Sequence, residues 1–142
     1  FHHYHAAMMR TVLVGKPSRR HQELFEAARS ALLAVEKAMT PGNSFGDVFE
    51  AHARSLEASG LTKHRLNACG YSLGARFSPS WMDLPMFYQG NKERVAPNMT
   101  LFAHMIIMDS ESETAMTLGR TYLTTDSQPR ALSRHDLDLI VQ

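Results

Sequence analysis

Two capped amphipathic helices followed by a series of apolar, β-like runs predict an α+β domain, with a curved antiparallel sheet backed by the helices. Three observations carry this. Leu24, Ala28, Leu32, Val35 and Met39 recur at helical spacing behind Ser18, which can serve as an N-cap. Ser44-Phe45-Gly46-Asp47 reads as a capping box for a second helix. Beyond it, Met99–Met108 and Ala115–Thr125 are apolar and β-like and are separated by a polar turn.

In chain order, Phe1–Val14 is rich in aromatic and β-branched residues and ends at Gly15-Lys16-Pro17, so it is predicted as a strand. The chain opens at Phe1 inside this strand, which predicts a sheet incomplete at its N-terminus and a fragment of a longer protein. His2, His3 and His5 read either as a metal site or as a solvated strand end or tag remnant, with His5 placed toward a cleft. The first helix runs from Ser18 to about Met39, where Pro41-Gly42 stops it, and the second to about Ser59, with Gly60 at its end. His52 on the second helix is expected at the surface or its boundary.

Asn67–Phe77 is strand-like, with Gly70 and Gly74 bracketing Tyr71 and Ser72; glycine inside a strand marks a bulge or a close approach. Ser78–Pro97 then reads as a long irregular run with Pro79, Pro85, Pro97 and Trp81, the wall of a binding cleft. His104 shares a face with Phe102 and Ile106, as a satisfied core histidine or a ligand. Asp109, Glu111 and Glu113 lie in a turn that reads as a solvated hairpin loop rather than a metal cluster. Asp126–Pro129 turns the chain, and Leu137–Val141 is a last short apolar run.

At 142 residues the chain is one domain, 1–142, with 44% hydrophobic and 20% charged residues, a globular balance. A net charge of +1 without a basic stripe argues against nucleic acid. Short apolar runs exclude a transmembrane helix, and the one cysteine, Cys69, excludes an internal disulfide. With no signal-peptide pattern, these predict a cytoplasmic protein. Gly-rich phosphate loops, Cys-x-x-Cys pairs and His-Glu-x-x-His helices are absent. Gly70-Tyr71-Ser72-Leu73-Gly74 matches Gly-x-Ser-x-Gly, but a proline-rich run follows where a nucleophile elbow needs a helix. Cys69 has no basic neighbour in sequence to activate it.

Five segments in order resemble the pita-bread family of creatinase, aminopeptidase P, prolidase and methionine aminopeptidase, over about Phe1 to Ser133. Tyr4–Gly15 resembles the family strand ending in Arg-Thr, apolar residues and Gly. Met39-Thr40-Pro41-Gly42 resembles its Lys-Pro-Gly, Gly70–Gly74 its Gly-His-x-x-Gly, Ala96-Pro97-Asn98-Met99 its Pro-Gly-Met, and Thr121–Leu132 its final strand and turn. The resemblance implies a pita-bread fold and places the family's visible metal-ligand positions at Ala7, Tyr71, His104 and Gly119 (or Arg120, one residue on). None carries the family's residue, which argues against a dinuclear metallopeptidase.

Tyr4-His5 and Gly70-Tyr71 look closer to ectoine hydrolase, which with creatinase implies a metal-independent hydrolase of a non-peptide C–N bond in a small polar or zwitterionic molecule. In that reading His5 and His104 transfer protons, Tyr71 donates a hydrogen bond and Arg120 anchors an anion, while Trp81 walls the ligand and Tyr4 and Arg76 complete the binding residues. No metal and no cofactor is expected. The partners expected are a small-molecule substrate and, in the full-length protein, a second copy in a homodimer. The other readings are a non-catalytic small-molecule or partner-binding relative, and an Xaa-Pro metallopeptidase with a metal set built from His5 and His104.

Overall fold

A computed structural model describes residues 2–77 and 79–142. Phe1, the start of the first predicted strand, and Ser78, the start of the predicted irregular run, lie outside the described residues. The elements are β1 (Met9–Arg10), β2 (Val12–Leu13), α1 (Arg19–Ala38), α2 (Phe45–Ala58), a 3₁₀ turn (Thr62–His64), β3 (Ala68–Ser72), β4 (Asp83–Tyr88), β5 (Thr100–Asp109), β6 (Thr114–Leu123), β7 (Arg130–Ala131) and β8 (Ile140–Val141). One antiparallel sheet runs in the order β1-β6-β5-β3-β4, with β7 also paired to β6, while β2 and β8 form a separate parallel pair.

Both helices begin where their caps predict. The Ser18 hydroxyl accepts from the His21 amide and the Ser44 hydroxyl from the Asp47 amide, each answered by the third residue's side chain in a capping box. The apolar stripe of α1 (Leu24, Ala28, Leu32, Val35) is fully buried. It packs with Val48 and Leu56 of α2 on Leu101, Ala103, Met105 and Ile107 of β5 and on Met116, Leu118 and Tyr122 of β6. Each large apolar side chain so buried contributes about 2 kcal/mol. Asp109 ties the end of β5 to the start of α1. Its carboxylate accepts from Arg20 Nη2 at 2.6 Å and from the Ser112 hydroxyl at 2.7 Å. The Ser112 hydroxyl foremost, then Arg20 and the Ser112 and Glu111 amides, hold its pKa well below the usual carboxylate range. Asp109 is therefore a buried anchor; Glu111 and Glu113 are the solvated residues expected of the turn.

Two strand expectations change. The N-terminal segment is not one strand: Tyr4 makes a lone bridge to Ala75, β1 pairs with β6, and β2 leaves that sheet for β8. The chain divides at Thr11, whose hydroxyl accepts from the Thr117 amide at 2.8 Å and thereby takes the place of a backbone ladder partner. The predicted irregular run contains β4, which pairs with β3 through register shifts. Pro85 and those shifts hide the alternation, and β4 tolerates proline because it is the outer strand. Asn98, standing where the resemblance has glycine, adopts φ +66°, a left-handed conformation that asparagine tolerates better than most residues.

His52 is 1% exposed, a correction to its expected place at the surface. It lies against the Phe49 ring, 5.5 Å between centroids, and its Nδ1 has no hydrogen-bond partner among the described residues. Burial foremost, then the nearby Arg65 and His104, lowers its pKa from 6.5 to about 4.

Two outcomes follow from this packing. A Cβ on Gly70 would sit 2.4 Å from Phe87 Cδ2 and 2.5 Å from the Phe102 carbonyl oxygen. Gly70→Ala is accordingly expected to destabilise by about 3 kcal/mol, read as a lower denaturation midpoint; an unchanged midpoint would refute the close approach. The unfolded chain binds a proton at His52 that the folded chain refuses, so stability is full above pH 6.5 and falls as pH drops toward 4. The loss is on the order of 3 kcal/mol. In His52→Leu the slope of stability against pH should shrink without vanishing, because burial also lowers the His104 pKa. An unchanged slope would mean that His52 protonates freely in the fold.

Candidate functional site

The period-two alternation of β5 and β6 divides the sheet into two chemistries. One face carries the helices. The other presents Phe102, His104 and Ile106 from β5, paired with Thr121, Gly119 and Thr117 of β6. Met9 of β1 lies across from Gly119, and Tyr71 of β3 across from Phe102. Tyr71, Leu73 and Phe102 form a second apolar cluster on this face, with Ala7, Met9, Met82 and Met86 packed against it.

His104 is the buried imidazole of this face, 9% exposed. Its ring centroid is 5.6 Å from both Tyr71 and Phe102. Its Nδ1 is buried with no hydrogen-bond partner among the described residues, so it is not the satisfied core histidine that was one of its two readings. Burial lowers its pKa, its own backbone opposing more weakly, which keeps the ring neutral at neutral pH.

The sequence-predicted residues do not all meet. His5 donates its amide to the Gly74 carbonyl at 3.1 Å, and its Nδ1 lies 3.0 Å from the Trp81 carbonyl. It lines a cleft of about 360 Å³ with Ala7, Thr100, Thr121, Leu132 and Ser133, and His104 is not among the lining residues. No hydrogen bond or ring contact joins His5 to His104 among the described residues. Tyr4 is 66% exposed and Trp81 is 61% exposed, so the Trp81 ring is no buried wall, and its fixed contribution is the carbonyl that meets His5. Arg76 pairs with Asp83, Nη1 to Oδ1 at 3.2 Å, at the end of β3.

Arg120 is a correction. It is paired with Ala103, on the helix side, and its Nη2 donates to the His135 carbonyl at 2.7 Å. Arg10 donates to the Asp136 carbonyl beside it, at 3.2 Å. The two guanidinium groups hold down the C-terminal segment instead of facing a ligand at His104. Cys69 faces the helix-side core, where burial pushes its thiol well above its ordinary pKa, against catalysis.

The positions at which the resemblance sets metal ligands do converge. The Thr121 hydroxyl donates to the Ala7 carbonyl at 2.6 Å, Gly119 lies opposite His104, and Tyr71 meets the His104 ring. What converges there is an imidazole, a phenol, a methyl group and a glycine. Hard divalent ions bind through several carboxylate or imidazole donors, so these residues do not fit the family's metal pair. Space disagrees as well: a Cβ on Gly119 would lie 2.7 Å from Phe102 Cζ and 3.0 Å from Met9 Cβ. The Phe102 ring occupies the volume a longer side chain at 119 would need. Sequence reasoning put Phe102 on the His104 face without giving it a role and passed over Met9 and Thr121; the available signal was Gly119 inside a strand, a mark of close approach.

Elsewhere, His64, Asp109 and Glu111 bring ligand atoms within 4.8 Å of one another. Each is already engaged: His64 Nδ1 lies 3.1 Å from the Met108 carbonyl, Asp109 pairs with Arg20, and Glu111 pairs with Lys63. Among the described residues no helix is long and apolar enough to cross a membrane.

Comparison with known proteins bears on the fold. The family model of metallopeptidase family M24 matches residues 1–126. The chain is 30% identical over 141 residues to an uncharacterised hydrolase/peptidase of Sinorhizobium fredii, covering 99% of this chain and 34% of that protein. It is 32% identical over 102 residues to the ectoine hydrolase of Halomonas elongata, covering 68% of this chain and 24% of that one. Among solved structures, the Xaa-Pro dipeptidase of Bacillus anthracis superimposes with a TM-score of 0.90 at 15% identity, over 98% of this chain and 38% of that one. That likeness is one of fold, and the chain spans between about a quarter and two fifths of the length of these proteins.

Gly119→Glu, which returns a carboxylate to the face, is expected to lower the melting temperature and to leave the purified protein without stoichiometric cobalt or manganese. Metal analysis after incubation with either ion checks this. About one bound ion per chain at an unchanged melting temperature would show that Phe102 yields.

Proposed function

The chain belongs to metallopeptidase family M24, and from that footing we propose that it serves a metal-independent hydrolase of a non-peptide C–N bond in a small polar molecule. The pita-bread fold expected from the sequence is the fold of its relatives. The observation that carries the proposal is the unpartnered Nδ1 of a neutral, buried His104, beside Tyr71 and at the positions where the family's ligands converge.

A neutral imidazole can take a proton from water as the oxygen adds to the carbon of the C–N bond. Tyr71 donates a hydrogen bond to the charge that develops. The proton held by His104 then passes to the departing nitrogen as the bond breaks, so one water is consumed and nothing is oxidised or reduced. The name of the Halomonas elongata relative supports a non-peptide substrate. In this reading His5 and the cleft of about 360 Å³ contact the remainder of the substrate. The protein acts in the cytoplasm, and as a homodimer in its full-length form.

A second reading, a non-catalytic relative that binds a small molecule through the same face, is favoured by one observation. The positions Ala7, Tyr71, Gly119 and Thr121 carry no carboxylate to assist the imidazole.

A panel of amides, cyclic amidines and guanidino compounds, offered to protein treated with a chelator, tests the first reading. Turnover should survive chelation, and His104→Gln should lower kcat by a factor of about 100 or more while melting within a few degrees of the parent. Turnover abolished by chelation and restored by metal would overturn metal independence. Absence of turnover across the panel would favour the binder.

A further inference from the structure

β5 takes one edge of β6, and two short strands share the other: β1 pairs at Leu118 and Gly119, β7 at Tyr122 and Leu123. Arg120 and Thr121 stand in the gap between them. The C-terminal segment enters this gap, where the Leu132 amide donates to the Thr121 carbonyl at 2.9 Å. Leu132 and Ser133 then line the cleft of about 360 Å³ beside Ala7 and Thr121. Further on, Leu137 is buried among the helix-side residues of the main core. The segment therefore changes face of the sheet between Ser133 and Leu137, with one end in the cleft and the other against the helix side.

Its fastening on the helix side is light. From Ser133 to Asp138 no amide or carbonyl joins another backbone group among the described residues. The His135 carbonyl accepts from Arg120 Nη2 at 2.7 Å, and the Asp136 carbonyl from Arg10 Nη2 at 3.2 Å. Leu137 adds one buried apolar side chain, and β8 a two-residue pairing with β2 whose own side chains are exposed. The two guanidinium groups stand close together: burial foremost, and then Arg120, lowers the Arg10 pKa. Each holds the segment through carbonyl dipoles, and the two like charges oppose each other. A stretch with few backbone hydrogen bonds and little buried apolar surface opens locally well before the core does.

We propose that Arg10 and Arg120 are positioning residues for the cleft, setting its Leu132–Ser133 wall from the opposite face of the sheet through the segment that crosses it. The other wall is independent of them. His5 is fixed there by its amide on the Gly74 carbonyl and by its Nδ1 beside the Trp81 carbonyl. The floor belongs to the sheet, where the Thr121 hydroxyl holds the Ala7 carbonyl at 2.6 Å. Release of the His135 and Asp136 carbonyls frees Ser133 to leave Met8, whose sulfur its hydroxyl meets at 3.8 Å. Cleft width thus follows the grip of two arginines that do not line it. The inference rests on this cleft being the one in which the proposed hydrolase holds the remainder of its substrate, but its test reads the cleft wall and needs no turnover.

Thiol labelling of the full-length protein, read peptide by peptide in a mass spectrometer, provides that test. Cys69 is buried and its thiol pushed well above its ordinary pKa, so this region is silent to begin with. Ser133→Cys places a thiol on the movable wall, and Ala6→Cys, in a separate protein, places one on the fixed side. Adding Arg120→Met, which keeps an unbranched stem and removes the guanidinium, should speed labelling at position 133 about tenfold and leave position 6 within about twofold. Arg120→Lys, which keeps a cationic donor, should give an intermediate rate at position 133, about threefold above that of Ser133→Cys alone. An unchanged rate at position 133 overturns the inference. Equal acceleration at positions 6, 69 and 133 also overturns it, because that marks a general loosening of the fold. Should Arg120→Met fail to fold, Arg120→Lys decides by the same comparison. Unchanged labelling with turnover of a panel compound retires this coupling and keeps the hydrolase, while the expected labelling without turnover keeps the coupling and retires the hydrolase.

Discussion

The in-register pairing of β5 with β6, ten residue pairs from Thr100 with Leu123 to Asp109 with Thr114, governs the rest of the molecule. Because side chains alternate strictly across a strand, one register assigns every residue of both strands to a face. It sends Leu101, Ala103, Met105 and Ile107 to the helices and leaves Phe102, His104 and Ile106 on the other side. A shift by one residue would exchange the two sets, exposing the core and placing an imidazole among the helices. The Arg20–Asp109 pair at the hairpin end secures that register against α1.

The same alternation explains why the two arginines of the region bind the C-terminal segment and do not reach the face that holds His104. Arg10 pairs with Leu118 and Arg120 with Ala103, both on the helix side of the sheet. There they find the backbone carbonyls of His135 and Asp136, which the C-terminal segment brings over the sheet as Leu137 enters the core. Guanidinium donors suit that task, since one group can satisfy several carbonyl acceptors at once. Tyr122 stands close by, its hydroxyl pushed well above its ordinary pKa by burial and by Glu36.

On the opposite face, the positions where the resemblance sets metal ligands decide what chemistry is open to the chain. Metal sites of this fold family need several oxygen donors converging, and the converging positions hold Ala7, Tyr71, His104 and Gly119. Phe102 has taken up the room at Gly119, so the loss is spatial as well as chemical. A single imidazole among rings and thioethers is one donor where a hard divalent ion needs several.

Local sequence determined both helices and their caps, the β3, β5 and β6 strands, the hairpin between β5 and β6 and the placing of His104 with Phe102, because hydrogen-bonded caps and period-two or helical alternation act within a few residues. The β4 strand was not legible, since Pro85 and the register shifts against β3 erase the alternation. Only the tertiary structure decided that His52 is buried, that Arg120 faces the C-terminal segment, that His5 and His104 serve different parts of the face, and that Phe102 lies over Gly119. Each depends on which face of which strand a distant segment covers, and that is set by strand pairing and packing between residues far apart in the chain.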